Sequence, residues 1–576
     1  MVTDHSYAES VYINGYIYTA DSKNTVCEAI AIADGYIIAC GSTSQIKSLV
    51  NQDTDIIDLQ GKTMLPGIID AHLHPFWGGM QLSGCHLDYA SLTVEDTLTK
   101  IQNYLDRDPC NSSNDWLQVR GWLRQEVLPL GTDITRADLD RLQTARPVIL
   151  FSNDCHTLVA NTRALEKFAL DRNTPEPKDG KIGRTADGEL NGILEDAPAM
   201  RAFDSIPALN DKQAIEVAKL VQHELNKQGV TTAMDARAAE LQFNAFKALS
   251  HQDNLTIRLF GAAEITPDDA ITPSDIVKSI HKVKLFAESY SDTKAQPKPG
   301  LKISLVKFFV DGVLQAPLMT ASLLKPYRIN QGSFEQPNFV ESNRLGDLYY
   351  DNAILAQLII AASEAGFNPH MHTVADGAIE TVLNHIQTMR EQYPHLNHIR
   401  PSLAHNELAA PHQYKRFTDL NAIATVSFQW AGPTNEMMEQ FNLMLGAERY
   451  NDLEPCAKFI DAGAKVAFGS DWPIDPLNEW YNFKVAMTRT GYSPVGKKTK
   501  RLDSDRNLTI TEVLRAATID AAFMLSQEQY IGSIETGKFA DLIIVDKNPF
   551  TISADEIEHI KIIKTIVGGK LVYKHE

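Results

Sequence analysis

The sequence predicts an α/β protein built on a parallel β-sheet, with a smaller β-rich unit made from the two ends of the chain. Between residues 347 and 471, strand-like runs alternate with helical periodicity, a pattern typical of parallel strands joined by crossover helices. Short β-rich runs occupy residues 9–60, and similar runs recur at 540–573. The alternation alone allows either a barrel or a doubly wound sheet.

The terminal runs are predicted to be strands because of their turn signals. Asn14-Gly15 and Asp34-Gly35 lie between apolar residues, and such pairs favour tight hairpins. The C-terminal runs would otherwise be a small set of strands without a partner, so we infer that both ends complete one β-sandwich. The predicted domains are sandwich parts at 1–64 and 521–576 and a central domain at 65–520, with an inserted subdomain at about 85–200.

The central domain shows its alternation most clearly near the C-terminal half. A helix-like segment at 347–365 is followed by a strand-like run at 368–372, and apolar residues at 379–389 then recur at helical spacing. Further strand-like runs lie at 422–428 and 465–470. Polar residues come at the carboxyl ends of these runs, which is the edge where active sites form in both candidate folds.

Composition narrows the class of partner. The 576 residues include 54 basic and 73 acidic ones, a formal charge of −19, which disfavours nucleic acid and anionic membranes as partners. Six scattered cysteines without a C-x-x-C pair predict free thiols in a reducing compartment. No signal-peptide pattern and no uninterrupted apolar run of about 18 residues occurs. We therefore expect a cytoplasmic protein that acts on a small molecule, with a homodimer as the default assembly.

The most informative motif is His72-Leu-His74, which ends an apolar, strand-like run beginning at Pro66. Residues two apart on a strand point to one face, so both imidazoles can bind one metal ion from a rigid element. Two histidines in the core or on the surface would give the same sequence motif without binding a metal. The motif therefore needs further ligands elsewhere in the chain.

Lys307 is the second candidate, because it lies in the strand-like run 301–312 and shares one face with three apolar side chains. A lysine there must pair, extend its amine to water or lose its charge. One solution is reaction with carbon dioxide to give a carbamate, whose oxygens can bridge two cations. A salt bridge is the alternative.

Further polar residues end strand-like runs: His370, His372, His405 and Asp471. Each alone could simply brace a loop. Their occurrence in the order His-x-His, Lys, His, His, Asp is much harder to obtain by chance, and it predicts a metal centre.

This arrangement resembles the amidohydrolase superfamily of metal-dependent hydrolases, and within it the long-chain subgroup that includes N-substituted formamide deformylase. The supporting stretches are 65–75, 307–312, 372–378, 404–406, 468–473 and 532–542. The resemblance covers nearly the whole chain. It implies a (β/α)₈ barrel, with the β-sandwich built from both termini.

The resemblance also implies roles for the candidate residues. His72, His74 and Asp471 would hold the more buried metal, His372 and His405 would hold the second, and carboxylated Lys307 would bridge them. The expected cofactor is one or two divalent cations, with Zn²⁺ favoured. Asp471 would accept the proton of a metal-activated water and pass it to the leaving amine.

The activity expected from the resemblance is hydrolysis of a carbon–nitrogen bond other than a peptide bond, in a linear amide such as an N-acyl or N-formyl amine. A cyclic amide, an ester or a deaminase substrate would suit the same metal centre. A catalytically silent scaffold or regulator is the alternative from another class. The candidate substrate-binding residues are His156, Trp77, Asp311, Gln315 and His370.

Overall fold

A computed structural model describes residues 7–108, 115–129, 131–152, 157–177, 180–315, 319–332, 337–493 and 496–576. The strands are β1 Ser10–Ile13, β2 Tyr16–Tyr18, β3 Val26–Cys27, β4 Ala29–Ala33, β5 Tyr36–Gly41, β6 Asp55–Asp58, β7 Thr63–Pro66, β8 Ile68–Leu73, β9 Cys85–His86, β10 Leu117–Trp122, β11 Val148–Ser152, β12 Thr157–Ala160, β13 Gly180–Arg184, β14 Leu190–Asp196, β15 Val230–Ala238, β16 Arg258–Glu264, β17 Leu301–Phe309, β18 Arg328–Asn330, β19 Phe339–Glu341, β20 Asn368–Thr373, β21 Ser402–His405, β22 Ile423–Val426, β23 Lys465–Phe468, β24 Leu542–Val545, β25 Ile562–Val567 and β26 Lys570–Lys574.

The α-helices are α1 Thr43–Lys47, α2 Pro75–Ser83, α3 Val94–Leu105, α4 Arg136–Leu139, α5 Thr162–Lys167, α6 Ala197–Asp204, α7 Asp211–Gln228, α8 Glu240–His251, α9 Pro273–Tyr290, α10 Asn352–Glu364, α11 Asp376–Gln392, α12 Pro411–Asp419, α13 Asn435–Leu445, α14 Ala447–Tyr450, α15 Cys456–Asp461, α16 Glu479–Thr488, α17 Ile510–Ala516 and α18 Ile519–Met524. Short 3₁₀ turns lie at Arg124–Glu126, Pro267–Asp269, Pro394–His398, Phe428–Ala431 and Ala554–His559. None of the described helices combines the length and apolarity needed to cross a membrane.

Eight parallel strands form the central sheet, in the chain order β8, β15, β16, β17, β20, β21, β22, β23. Two backbone hydrogen bonds join the first strand to the last: Asp471 N–H donates to the carbonyl of His72 at 2.8 Å, and His74 N–H donates to that of Trp472 at 2.7 Å. The sheet therefore curls into a barrel. The predicted (β/α)₈ fold is confirmed, and the doubly wound sheet is excluded.

Helix α7 illustrates how local sequence sets a crossover. The Asn210 side chain accepts a hydrogen bond from the Gln213 backbone, and the Gln213 side chain accepts one from the Asn210 backbone, a reciprocal cap that stabilises a helix start by about 1 kcal/mol. The helix ends at Gly229, whose φ of 89° is one that glycine adopts without strain. Because β15 begins at the next residue, the helix lies directly against the barrel.

Apolar residues fill the barrel before its strands reach their polar ends. Side chains from six barrel strands form one buried cluster with residues of α18, including Ile69, Met234, Phe260, Leu305 and Ala467. On their own strands, Ile69 precedes His72 and Leu305 precedes Lys307. The core therefore closes the amino-terminal part of the barrel and leaves the polar side chains at its carboxyl end.

N-terminal strands form one sheet, ordered β5-β4-β1-β6, and strands from both ends of the chain share a second, ordered β26-β25-β24-β7-β2-β3. Strand β7 pairs with β24, with Leu65 opposite Ile543. A common apolar cluster contains residues of both sheets, among them Ile30 and Ile544. A separate sheet, β13-β14-β12-β11-β10-β9, lies within the segment that follows the first barrel strand.

Cys27 and Cys40 form a disulfide with a Cα–Cα distance of 6.4 Å. The prediction of free thiols is therefore wrong for this pair. Cys40 lies opposite Ile30 across the β4–β5 hairpin, so the turn carries it back to within reach of Cys27. Spacing along the chain does not show this register. Among the described cysteines, Cys85 and Cys456 are free and buried.

Candidate metal centre

The carboxyl ends of five barrel strands bring the predicted ligands together. His72 lies in β8 and His74 directly after it, Lys307 in β17, His372 in β20, His405 at the end of β21, and Asp471 three residues beyond β23. His405 and Asp471 have positive φ angles of 81° and 55°. Such backbone costs about 1–3 kcal/mol outside glycine and tends to occur at functional sites.

Asp471 is the centre of this group. Its Oδ1 lies 3.4 Å from His72 Nε2 and 3.3 Å from His74 Nε2, and its Oδ2 lies 4.0 Å from His405 Nδ1. One potential ligand atom from each of His72, His405 and Asp471 falls within 4.8 Å of the others. This spacing suits three protein atoms around a single cation.

Two of these atoms have no hydrogen-bond partner although they are buried: His72 Nε2 and Asp471 Oδ1. Buried polar atoms in folded proteins are nearly always satisfied, so an orphaned pair facing each other requires an explanation. A divalent cation between them would supply it. The residues present therefore fit a metal ion.

The protonation states also favour a metal. Burial lowers the pKa of His72 and His405 well below the usual range, and it lowers that of His372 to about 3. The positive charge of Lys307 adds to this effect at His72 and His372. Metal-binding imidazoles must be neutral, so these side chains are already in the ligand form.

Asp471 is ionised. Burial by itself would raise the pKa of Asp471, but the contact with His74, 3.3 Å from Oδ1, and the positive charge of Lys307 outweigh it, and the net pKa is below its usual value. The group thus combines neutral imidazoles with one carboxylate.

Lys307 is fully buried, and its Nζ has no hydrogen-bond partner. The amine lies 4.7 Å from the centre of the Phe309 ring. Burial lowers the pKa of Lys307 to about 8, although Asp471 and Glu264 oppose the shift. A buried amine with this pKa is partly uncharged near neutral pH, and the uncharged form is the one that can react with carbon dioxide.

His372 is oriented by the backbone. Its Nε2 lies 3.1 Å from the carbonyl oxygen of Gly312, to which it can only donate. That hydrogen bond leaves Nδ1 with its lone pair, and the ring lies 4.4 Å from that of His405. A second imidazole pair is therefore available beside the first group.

The structure places the predicted substrate residues in different surroundings. Trp77 is half-buried, with its ring 6.1 Å from that of His74. Gln315 Nε2 donates to Glu407 at 3.2 Å. His370 is fully buried behind His72. His156 lies outside the described residues.

Asp311 braces a loop. Its carboxylate accepts hydrogen bonds from the backbone of Ser322, Val374 and Ala375 at 3.0, 2.9 and 3.2 Å. Burial nevertheless raises the pKa of Asp311 to about 8. The carboxylate therefore fixes the turn that follows His372, and its Oδ1 lies 3.9 Å from the His372 ring.

Trp430 belongs to the site but was not among the predicted residues. Its ring stacks on His405 with a centroid distance of 5.2 Å and an interplanar angle of 24°. Its Nε1 donates to Asp475 at 2.7 Å, which holds the indole in place. The signal that could have found it is its position just beyond the strand-like run 422–428.

Neutral imidazoles around an ionised carboxylate at the mouth of a (β/α)₈ barrel are what a metal-dependent hydrolase requires. Comparison with known families agrees, since a family described as "Amidohydrolase family" matches residues 55–573. The chain belongs to the amidohydrolase family and is a metal-dependent hydrolase of carbon–nitrogen bonds.

Individual relatives match over the full length. The chain is 26% identical to the putative amidohydrolase YtcJ of Bacillus subtilis, over 98% of this chain and 99% of that protein. It is 26% identical to the N-substituted formamide deformylase of Arthrobacter pascens, over 98% of each. The crystal structure of an uncharacterized metal-dependent hydrolase from Pyrococcus horikoshii has the same fold, with a TM-score of 0.74 at 23% identity over 95% of this chain and 99% of that one.

Proposed function

We propose that this enzyme hydrolyses a linear amide of a small molecule, such as an N-acyl or N-formyl amine. The unpartnered pair His72 Nε2 and Asp471 Oδ1 is the observation that carries the metal-dependent part. The full-length likeness to an N-substituted formamide deformylase supports the linear amide.

The proposed ligands are His72, His74, Lys307, His372, His405 and Asp471, with Zn²⁺ as the cation. Lys307 would bridge two ions as a carbamate. Its burial, its unpartnered amine and its lowered pKa support this modification. A bound divalent cation supplies two effects: it lowers the pKa of water to about 7 and it polarises a carbonyl group.

Proton transfer falls to Asp471. Its carboxylate is ionised and buried, and Oδ2 remains as a proton acceptor when Oδ1 faces the ion. It can accept a proton from the attacking water and deliver that proton to the nitrogen of the leaving amine, which departs as the carbonyl carbon–nitrogen bond breaks. His74 Nε2 lies 3.3 Å from Oδ1, on the side of the carboxylate that would face the ion.

The test combines metal content with a matched set of substrates. Protein purified without chelators and with bicarbonate is analysed by elemental mass spectrometry, and amine release is then measured from N-formyl and N-acetyl derivatives of one primary amine. The corresponding cyclic amide and the ester of the matching alcohol are the comparison substrates. We expect about two ions per chain and turnover of the linear amides. Turnover restricted to the cyclic amide or the ester would refute the linear-amide proposal, and a chain that binds no metal would refute the centre itself.

A further inference from the structure

His370 is fully buried, and both of its ring nitrogens are in contact with other side chains. Nε2 lies 2.7 Å from His72 Nδ1, and Nδ1 lies 2.7 Å from Ser402 Oγ. All three residues are at most 2% exposed. His370 therefore belongs to a buried hydrogen-bond network, Ser402–His370–His72, that ends at the metal centre.

The register between the barrel strands positions the residues of this network. His370 lies opposite Lys307 on one neighbouring strand and opposite Ser402 on the other. The His370 and His72 rings are 4.8 Å apart, so His370 packs on His72 from within the barrel.

The chemistry of His72 fixes the direction of the hydrogen bonds. His72 Nε2 faces Asp471 Oδ1 at 3.4 Å and has no hydrogen-bond partner. A nitrogen that binds a cation carries no proton, so the proton of a neutral His72 must be on Nδ1. Nδ1–H then donates to His370 Nε2, and His370 donates its own proton from Nδ1 to the Ser402 oxygen.

We propose that His370 and Ser402 are positioning residues that set the tautomer and the ring orientation of His72 for metal binding. Histidine ligands commonly donate their second N–H to a carboxylate or a carbonyl. A neutral imidazole in this place adds no negative charge to the centre. The inference rests on the proposed function in one respect, that His72 binds the metal through Nε2.

The test compares two replacements of His370. In His370→Gln the amide oxygen can still accept the His72 proton, whereas His370→Leu has similar volume and no acceptor. Met371→Leu is the matched control, because Met371 is equally buried on the same strand and belongs to the apolar cluster outside the barrel. Zn²⁺ affinity is measured by competition with a coloured chelator, and the coordination geometry by the visible spectrum of the Co²⁺-loaded protein.

We expect His370→Leu to weaken Zn²⁺ binding about 10- to 100-fold and to alter the Co²⁺ spectrum. His370→Gln should stay within about threefold of the unaltered chain, as should the control. Equal affinity of His370→Leu and the control would overturn the proposal, and so would equal losses in the Leu and Gln variants, since packing alone would explain them. A wild-type chain without metal would instead refute the proposed function.

Ser402→Ala provides a second variant in case His370→Leu does not fold. It removes only one hydroxyl, at the end of the hydrogen-bond network away from the metal centre, and leaves the His72–His370 contact intact. We expect a severalfold loss of Zn²⁺ affinity with an unchanged circular dichroism spectrum. Affinity equal to that of the unaltered chain would contradict a role for the Ser402–His370 hydrogen bond.

Discussion

Carboxylation of Lys307 should depend on pH in a way that its surroundings determine. With a pKa of about 8, about one Lys307 side chain in ten is the free amine at pH 7. With the ordinary pKa of 10.5 the fraction would be about one in three thousand. Because only the free amine attacks carbon dioxide, burial should accelerate the reaction about 300-fold at neutral pH. The rate should rise with pH and level off above about 8.

The assay follows ¹³C-labelled carbon dioxide into metal-free protein by ¹³C nuclear magnetic resonance. Dissolved carbon dioxide is held at a fixed partial pressure, since its equilibrium with bicarbonate also changes with pH. Lys307→Ala should lose the carbamate signal. Lys302→Ala should retain it, because Lys302 lies on the same strand but is exposed. A rate that keeps rising up to pH 10, or a signal that survives Lys307→Ala, would refute the reasoning.

Three further perturbations have defined outcomes. Asp471→Asn should lower turnover by about 10²–10⁴-fold, with the melting temperature measured alongside, because the amide cannot carry the proton; near-normal turnover would remove Asp471 as the base. Lys307→Ala should lower metal content by elemental analysis, with partial recovery when a short carboxylic acid is added; unchanged content would exclude a bridge. Arg258 and Asp541 form a buried ion pair of 2.6 Å between the barrel and the C-terminal strands. Arg258→Met should therefore lower the free energy of unfolding, measured in urea, by about 3–5 kcal/mol. A loss under about 1 kcal/mol would mean that the pair adds little.

Much of the fold follows from patterns that depend on local physics. Alternating strand and helix periodicity requires parallel strands, and parallel strands align their carboxyl ends at one edge. That alignment places His72 and Asp471 at the same edge of the sheet, and the barrel implied by the family resemblance brings the first and last strands together. Side chains alternate between the two faces of a strand, so the spacing along the sequence is enough to predict which of them share a face.

Depth within the barrel could not be predicted in the same way. His370 and His372 share a strand face, but strand register puts His370 level with Lys307 and His372 level with Phe309. One imidazole therefore lies behind His72 and the other beside His405. The register between strands arises from side-chain packing and turn geometry across the sheet, which the spacing of two histidines does not contain.

Trp430 shows a related limit. It lies in a 3₁₀ turn after β22, and its stacking on His405 depends on the hydrogen bond from its indole to Asp475. Neither contact leaves a periodic signal in the sequence. The disulfide between Cys27 and Cys40 was missed for the same reason, since a hairpin register created the proximity.

The seam between the first and last barrel strands has a consequence for how the enzyme is made. Ser470 donates its backbone N–H to the Asp70 carboxylate across 400 positions of sequence, next to the bonds that join Asp471 to His72. During synthesis the first two histidines emerge from the ribosome long before the aspartate that completes their ligand set. Until Asp471 is made, a growing chain lacks the carboxylate that faces His72 and His74. Metal loading should be one of the last events in maturation, and chains cut short before Asp471 should not capture the cation.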